Sequence, residues 1–151
     1  KNQNINFEFP KNTDLKIHLN NLINKRPNKI RRISKLSKGY IFKHLKKHKG
    51  YKKIKNLNYL VANEVRKSRC NFRYDNISPC LTTKMGTGGN NIPVVIELKR
   101  KFTTRECLRL MGFPDSFQIK ENSMQSYRQI GNSVPVPMVQ QIGKIMLTHI
   151  Q

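Results

Sequence analysis

The clearest hydrophobic period lies at the C-terminal end of the chain. Met138, Val139, Ile142, Ile145, Met146 and Ile150 fall at helical spacing, and Pro135 or Pro137 stands where such a helix opens. A second helix is predicted from Thr103 or Thr104. Glu106 follows Thr103 at capping-box spacing, Cys107, Leu108, Leu110 and Met111 supply the apolar positions, and Gly112-Phe113-Pro114 ends it. Ser123 caps a further short helix through Tyr127 and Ile130. In the middle of the chain, Phe72 to Thr83 reads as strand, turn and strand about Asp75-Asn76. Gly86 to Asn91 reads as a loop, and Ile92 to Leu98 as an apolar, β-branched strand. Nearer the N-terminus, Phe7-Glu8-Phe9-Pro10 suits a short strand or extended arm. Asp14 caps a short helix with Leu15, Leu19 and Leu22 or Ile23 on one face, and Lys25 to Ile33 is a basic loop containing Pro27.

Composition adds a charge that the pattern alone does not show. The 151 residues carry 30 Lys and Arg against 8 acids, a net charge of +22. The excess is concentrated: residues 25–69 hold 17 Lys or Arg and one acid, Glu64, and the rest of the chain holds 13 and 7. A basic block of this kind points to a polyanion, and nucleic acid is the usual one. Enrichment in Lys, Asn and Ile from AT-rich coding sequence is the plainer alternative. Tyr40, Phe42, Tyr51 and Tyr59 are interleaved with the basic residues, as rings that pack on sugars or bases are, or as ordinary core residues are. No apolar run approaches the roughly 20 residues that a membrane span needs. The hydrophobic share of 36% suits one modest domain, or a domain with part of its core missing. Cys70, Cys80 and Cys107 are odd in number and unpaired in spacing, which argues against a zinc site or disulfide framework and for a reducing, cytoplasmic setting.

No Ser-His-Asp arrangement, paired-carboxylate motif or Walker loop is present. His44 and His48 are four apart on a potential helix face but have no third ligand near them. Cys107 sits on the inner face of its helix and reads as core, and Cys80 likewise as a packing residue. The stretch Lys84-Met85-Gly86-Thr87-Gly88-Gly89-Asn90-Asn91 is more informative. Its glycines free the backbone to approach a ligand, but it leads into a strand rather than a phosphate-binding helix. Lys84 suits guanine O6 or N7, Asn90 suits adenine, and Thr82, Thr83 and the backbone suit phosphates. An ordinary glycine hairpin is the alternative.

Taken together, Thr103-Thr104-Arg105-Glu106-Cys107-Leu108-Arg109-Leu110-Met111-Gly112-Phe113-Pro114 and Gln129-Ile130-Gly131-Asn132-Ser133-Val134-Pro135 resemble the ninth and tenth motifs of bacterial DNA (cytosine-5)-methyltransferases. Ile77-Ser78-Pro79-Cys80-Leu81-Thr82-Thr83, with the glycine loop, is similar to the end of that family's variable target-recognition region. The family usually has Thr-Leu where this chain has Cys80-Leu81. The likeness is strong over about residues 70–150 and positional only over 1–69. It implies an α+β fold: a small β-rich target-recognition domain, followed by C-terminal helices that pack on a Rossmann-like catalytic domain. The expected divisions are a leading segment after the eighth motif at 1–24, the recognition domain at 25–99, and the motif IX and X helices at 100–151. The resemblance further implies double-stranded DNA as substrate, S-adenosylmethionine as methyl donor and a restriction-modification setting. It places Asn132 and Ser133 in the cofactor pocket, where they are expected to be exposed and mobile. DNA contacts are expected at Arg69, Arg73, Thr82, Thr83, Lys84, Gly86, Gly88, Gly89 and Asn90. Arg105 and Glu106 match a pair that ties the recognition and catalytic parts together. No catalytic residue is expected here, because the family's cofactor glycine motif, Pro-Cys nucleophile and Glu-Asn-Val motif do not occur in this sequence. Its partner is then a catalytic domain or subunit, or a second copy docked through the last helix. The rival is a stand-alone basic nucleic-acid-binding module. That rival buries Ile142, Ile145, Met146 and Ile150 within this chain; a part-enzyme leaves them in a patch.

Overall fold

The computed structural model describes residues 8–11, 18–48, 59–88, 90–121 and 123–148. Helix α1 (Leu19–Leu22) is followed by α2 (Lys35–Lys47), strands β1 (Val61–Asn63) and β2 (Asn71–Arg73), and a 3-10 helix at Thr83–Thr87. Strands β3 (Val94–Val95) and β4 (Arg100–Lys101) come next, then helices α3 (Thr104–Leu110), α4 (Met124–Asn132) and α5 (Val136–Thr148). The strands form one antiparallel sheet in the order β2-β1-β3-β4. The architecture is α+β, as expected, with one small four-stranded antiparallel sheet and C-terminal helices.

Register divides the core between the two faces of that sheet, because successive side chains along a strand point to opposite sides. Val61 pairs with Val95, and both enter the main core with Phe102, Cys107, Leu108, Tyr127 and Ile130. Ala62 pairs with Val94, and both pack beneath α2 against Ile41. Helix α2 forms because Ser34 caps it, its hydroxyl accepting the Ser37 N–H at 3.1 Å. Ser37, Ile41 and Leu45 are its buried stripe, at the four-residue spacing of one helix face. The rest of α2 presents its lysines to solvent.

Helix α3 starts on the capping box expected from the sequence. The Thr103 hydroxyl accepts the Glu106 N–H at 3.1 Å, and the Glu106 carboxylate accepts the Thr103 N–H at 2.8 Å. The same carboxylate takes two bonds from the Arg100 guanidinium, at 2.8 and 2.6 Å, and the Asn24 N–H at 2.8 Å. Arg100 also donates to the carbonyls of Asn24 and Lys101. Arg100 and Glu106 are 2% and 0% exposed, so this ion pair lies in low dielectric and depends on the bonds to the carboxylate and to the two terminal guanidinium nitrogens, the buried Arg100 Nε having no partner. Ser123 caps α4 through the Ser126 N–H at 3.0 Å, and the buried Tyr127 hydroxyl donates to the Phe102 carbonyl at 2.6 Å. Helix α5 begins where the Val136 N–H donates to the Met111 carbonyl at 2.8 Å. Its first turn presses Pro137 against Gly112, which has φ 80 and where a Cβ atom would stand 2.5 Å from the proline ring.

Several expectations are corrected. Phe72 to Thr83 contains no second strand. Asp75 instead bonds the Ile77 N–H, the Asn76 carbonyl accepts the Leu19 N–H at 2.9 Å, and Pro79 has no N–H for a ladder. The strand expected over Ile92 to Leu98 is confined to Val94–Val95, because the chain turns at 96–99 with Lys99 at φ 51 to start β4. The loop expected from Gly86 begins inside the 3-10 helix, with the Met85 N–H bonded to the Thr82 carbonyl and Met85 buried. The α1 helix is capped by His18 without a side-chain bond, while Asp14 and Leu15 lie outside the described residues, as do Phe7 and Tyr51. Of the interleaved rings, Tyr59 is buried, Tyr40 packs against the core under α2, and Phe42 is exposed.

Replacing Glu106 by Ala leaves the Arg100 charge buried without its acceptors, and is expected to cost about 3–5 kcal/mol of stability. Urea unfolding measures it; a loss below about 1 kcal/mol would show that the fold does not depend on this carboxylate.

Candidate functional site

The candidate recognition segment is held as a short, exposed ridge. Thr82 is extended at φ −130 and opens the 3-10 helix, and Lys84 points outward from it, both exposed. The buried Met85 anchors the ridge to the core. The Lys84 carbonyl accepts the Thr87 hydroxyl at 2.9 Å and the Asn91 amide at 3.0 Å, which closes the ridge on itself. Gly88 has φ 149 and open space around it, so the backbone turns there without contact. Asn90 ties the far end down: its carbonyl accepts the Val65 N–H at 3.1 Å and its side-chain oxygen lies 3.4 Å from the Ser37 hydroxyl. Gly89 lies outside the described residues.

This ridge packs on α4 with almost no side chain between them. A Cβ atom on Gly131 would stand 2.3 Å from the Thr82 carbonyl carbon and 2.4 Å from the Thr83 nitrogen. A Cβ on Gly86 would stand 2.5 Å from Arg128 Cβ and 2.8 Å from the Met124 carbonyl oxygen. Asn132 and Ser133 follow directly. The turn read from the sequence at Gly131 is instead helix: Asn132 is the last residue of α4 and Ser133 its C-cap, with the Ser133 N–H and hydroxyl both bonded to the Ile130 carbonyl. The helix continues because its C-terminal turn is seated on the ridge. Asn132 is exposed and Ser133 half-exposed.

Ser133 also lines a cleft of about 480 Å³ with Leu108, Phe113, Phe117, Ile119, Gln129 and Ile130. Its lining is mainly apolar. The loop that forms one wall is fixed by Phe113 against Phe117, with ring centroids 4.9 Å apart, by the paired Arg109 and Asp115, and by Arg105 bonded to the Phe117 carbonyl. Of the two residues expected in a cofactor pocket, Ser133 lines this cleft and Asn132 does not.

The family model described as C-5 cytosine-specific DNA methylase matches residues 1–148. The chain belongs to that family. It is 33% identical over 143 residues, 95% of its length, to the Type II methyltransferase M.MspI of Moraxella sp., of which it covers 31%. Over 72 residues it is 43% identical to the Type II methyltransferase M.Bsp6I of Bacillus sp. (strain RFL6), covering 46% of this chain and 23% of that one. Over 47 residues it is 55% identical to the Type II methyltransferase M.NlaX of Neisseria lactamica, covering 31% of this chain and 15% of that one. The chain thus spans less than a third of the length of these curated relatives.

In this methylase chain the expected DNA-facing residues fall into separate groups. Thr82, Thr83, Lys84, Gly86 and Gly88 share the ridge. Arg69 and Arg73 do not; they belong to the β1–β2 hairpin, where each is already paired. Arg69 bonds Glu64 at 3.0 Å, and Arg73 holds Asp75 through two nitrogens. That bond holds the Asp75 carboxyl below the usual carboxylate range. Arg31 of the basic block meets Lys101 from outside it, the Lys101 N–H being bonded to the Arg31 carbonyl at 2.8 Å. Burial, and then the Arg31 charge, lower the Lys101 pKa. No local signal marks this pair, because the two residues meet only through the fold. His44 bonds the Lys67 carbonyl and His48 packs edge-on against Phe72 and Tyr74, so neither ring shares a site with the other. Glu106 turns inward to Arg100, so of the motif IX pair only Arg105 has an unsatisfied nitrogen, Nη1.

The three cysteines differ. Cys107 is fully buried and core, as expected, with its thiol pushed up by burial and then by Glu106. Cys80, expected to pack, is exposed instead, because the chain at 77–82 forms no strand that would turn it inward. Burial pushes the Cys70 thiol up to about 11. Since the thiolate is the reactive form, iodoacetamide near neutral pH is expected to modify Cys80 first, Cys70 slowly and with a rate that rises with pH, and Cys107 only on unfolding. Peptide mass spectrometry reads the order; early labelling of Cys107 would refute its placement in the core.

Proposed function

We propose that this chain is the target-recognition portion of a DNA (cytosine-5)-methyltransferase, acting with a catalytic part that carries the nucleophile and most of the cofactor site. The observation that carries the reading is α5. It is 13 residues long and apolar, yet none of its residues is buried, and Met138, Val139, Met146 and Leu147 are all about half exposed or more. Ile142 and Ile145 are only partly covered, and Ile150 lies outside the described residues. A stand-alone module has no reason to present such a face to water; a helix that docks on a catalytic domain does. Docking by a second copy is the competing use of the same face. No helix among the described residues is long and apolar enough to cross a membrane.

In this reading, Thr82, Thr83, Lys84 and the glycine backbone meet the DNA groove, and the basic block at 25–69 follows its phosphates. Arg69 and Arg73 take phosphate or base contacts by exchanging their carboxylate partners, a small cost for exposed pairs. Asn132 and Ser133 form one wall of the S-adenosylmethionine site, and the bound cofactor supplies the methyl group destined for cytosine C5. The target base must leave the stack to be reached, so the ridge serves to hold the duplex around it. The Type II relatives suggest a bacterial, cytoplasmic restriction-modification setting.

Joined to a catalytic portion of the family, the chain is expected to support transfer of labelled methyl groups to duplex DNA; alone it should give none. Transfer by the pure chain, or none after joining with both parts folded, would refute the division of labour. The chain is also expected to bind duplex DNA with log affinity falling steeply against log salt, by about 0.9 per phosphate neutralised. A flat salt dependence would remove the basic block from the contact surface.

A further inference from the structure

The contact between the ridge and α4 brings two functions together at one point. Thr82 and Thr83 belong to the recognition segment, and Gly131 immediately precedes the two residues assigned to the cofactor wall. The spacing between them is set by peptide against glycine, with no flexible side chain between to absorb a shift. The body of α4 has little room to retreat. Tyr127 and Ile130 are buried, and the Tyr127 hydroxyl is bonded to the Phe102 carbonyl. A displacement of Thr82–Thr83 must therefore be taken up in the last turn, at residues 131–133.

We propose that Gly131 is a positioning residue for the cofactor, its contact with Thr82–Thr83 setting where Asn132 and Ser133 stand, so that a shift of the recognition segment changes the affinity for S-adenosylmethionine. This rests on the assignment of Asn132 and Ser133 to the cofactor site. The coupling is reciprocal: whatever the ridge does to cofactor binding, cofactor does to the ridge's binding of DNA. Gly39 offers a contrast, since a Cβ atom there meets nothing within 4 Å.

The test uses the complete methyltransferase containing this chain and titrates S-adenosylmethionine calorimetrically without DNA. Gly131→Ala is expected to weaken binding by about tenfold, in the middle of the range of site-to-site couplings. Thr83→Pro is the second variant. It is compatible with the extended Thr82 before it and with the first position of a helix. Its ring carbon presses on Gly131 from the other side, so it should weaken cofactor binding similarly although it changes only the recognition segment. Gly39→Ala should leave the affinity unchanged, and circular dichroism of each variant confirms the fold. If Gly131→Ala does not fold, Thr83→Pro decides alone. Cofactor affinity within about twofold of wild type in a folded Thr83→Pro protein would overturn the proposal while leaving the cofactor assignment standing. Failure of the wild-type enzyme to bind S-adenosylmethionine would overturn both.

Discussion

Both oxygens of the Glu106 carboxylate are filled. One accepts from Arg100 Nη2 and the Asn24 backbone; the other accepts from Arg100 Nη1 and the Thr103 backbone. A carboxylate has about four lone-pair directions, so no acceptor capacity is left over. Through this one group the start of α3, the edge strand β4 and the chain leaving α1 share a single fixed point. Arg100 extends it, since the same residue is bridged to Arg32 across the sheet edge. The cost of burying two charges is offset by the filled carboxylate and the two bonded terminal nitrogens of Arg100, although its Nε is buried without a partner.

From that fixed point the packing runs outward in a definite order. Helix α3 brings Cys107 and Leu108 into the main core, and Tyr127 and Ile130 on α4 close over them. The ridge then rests on the far side of α4 through two glycines, and α5 departs from the end of α3 with its N-terminus bonded to Met111. The candidate recognition surface and the candidate cofactor wall are thus opposite outcomes of the same helix. One lies along its flank and the other at its C-terminal end.

What was legible in the sequence was what short-range physics decides. The Thr103–Glu106 box, the Ser123 cap and the proline-flanked start of α5 each involve residues a few positions apart, and each is where the spacing predicts it. The strands were not legible to the same degree. Their lengths are fixed by which partner backbone is within reach, and the Asn76 carbonyl bonds α1 rather than a neighbouring strand. Gly131 reads in sequence as a turn residue. Its actual reason, the approach of Thr82, lies far away along the chain and leaves no local mark. Thr82, Thr83 and Lys84 share one ridge because they adjoin in sequence, but composition could not reveal that Arg69 and Arg73 are held by Glu64 and Asp75.

Those carboxylates have a wider significance. With 30 basic residues against 8 acids, most cations in this chain have no carboxylate to meet. Glu64, Asp75, Glu106, Asp115 and Glu121 each engage one arginine or lysine, and the remaining like charges repel one another across a small body. Relief must come from outside, as counterions or as a duplex. A polyanion that binds the folded state and not the unfolded one draws the equilibrium toward folding. For a chain so charged, a bound polyanion is then a folding ligand, and the compactness of the basic surface is itself a function of what it is holding.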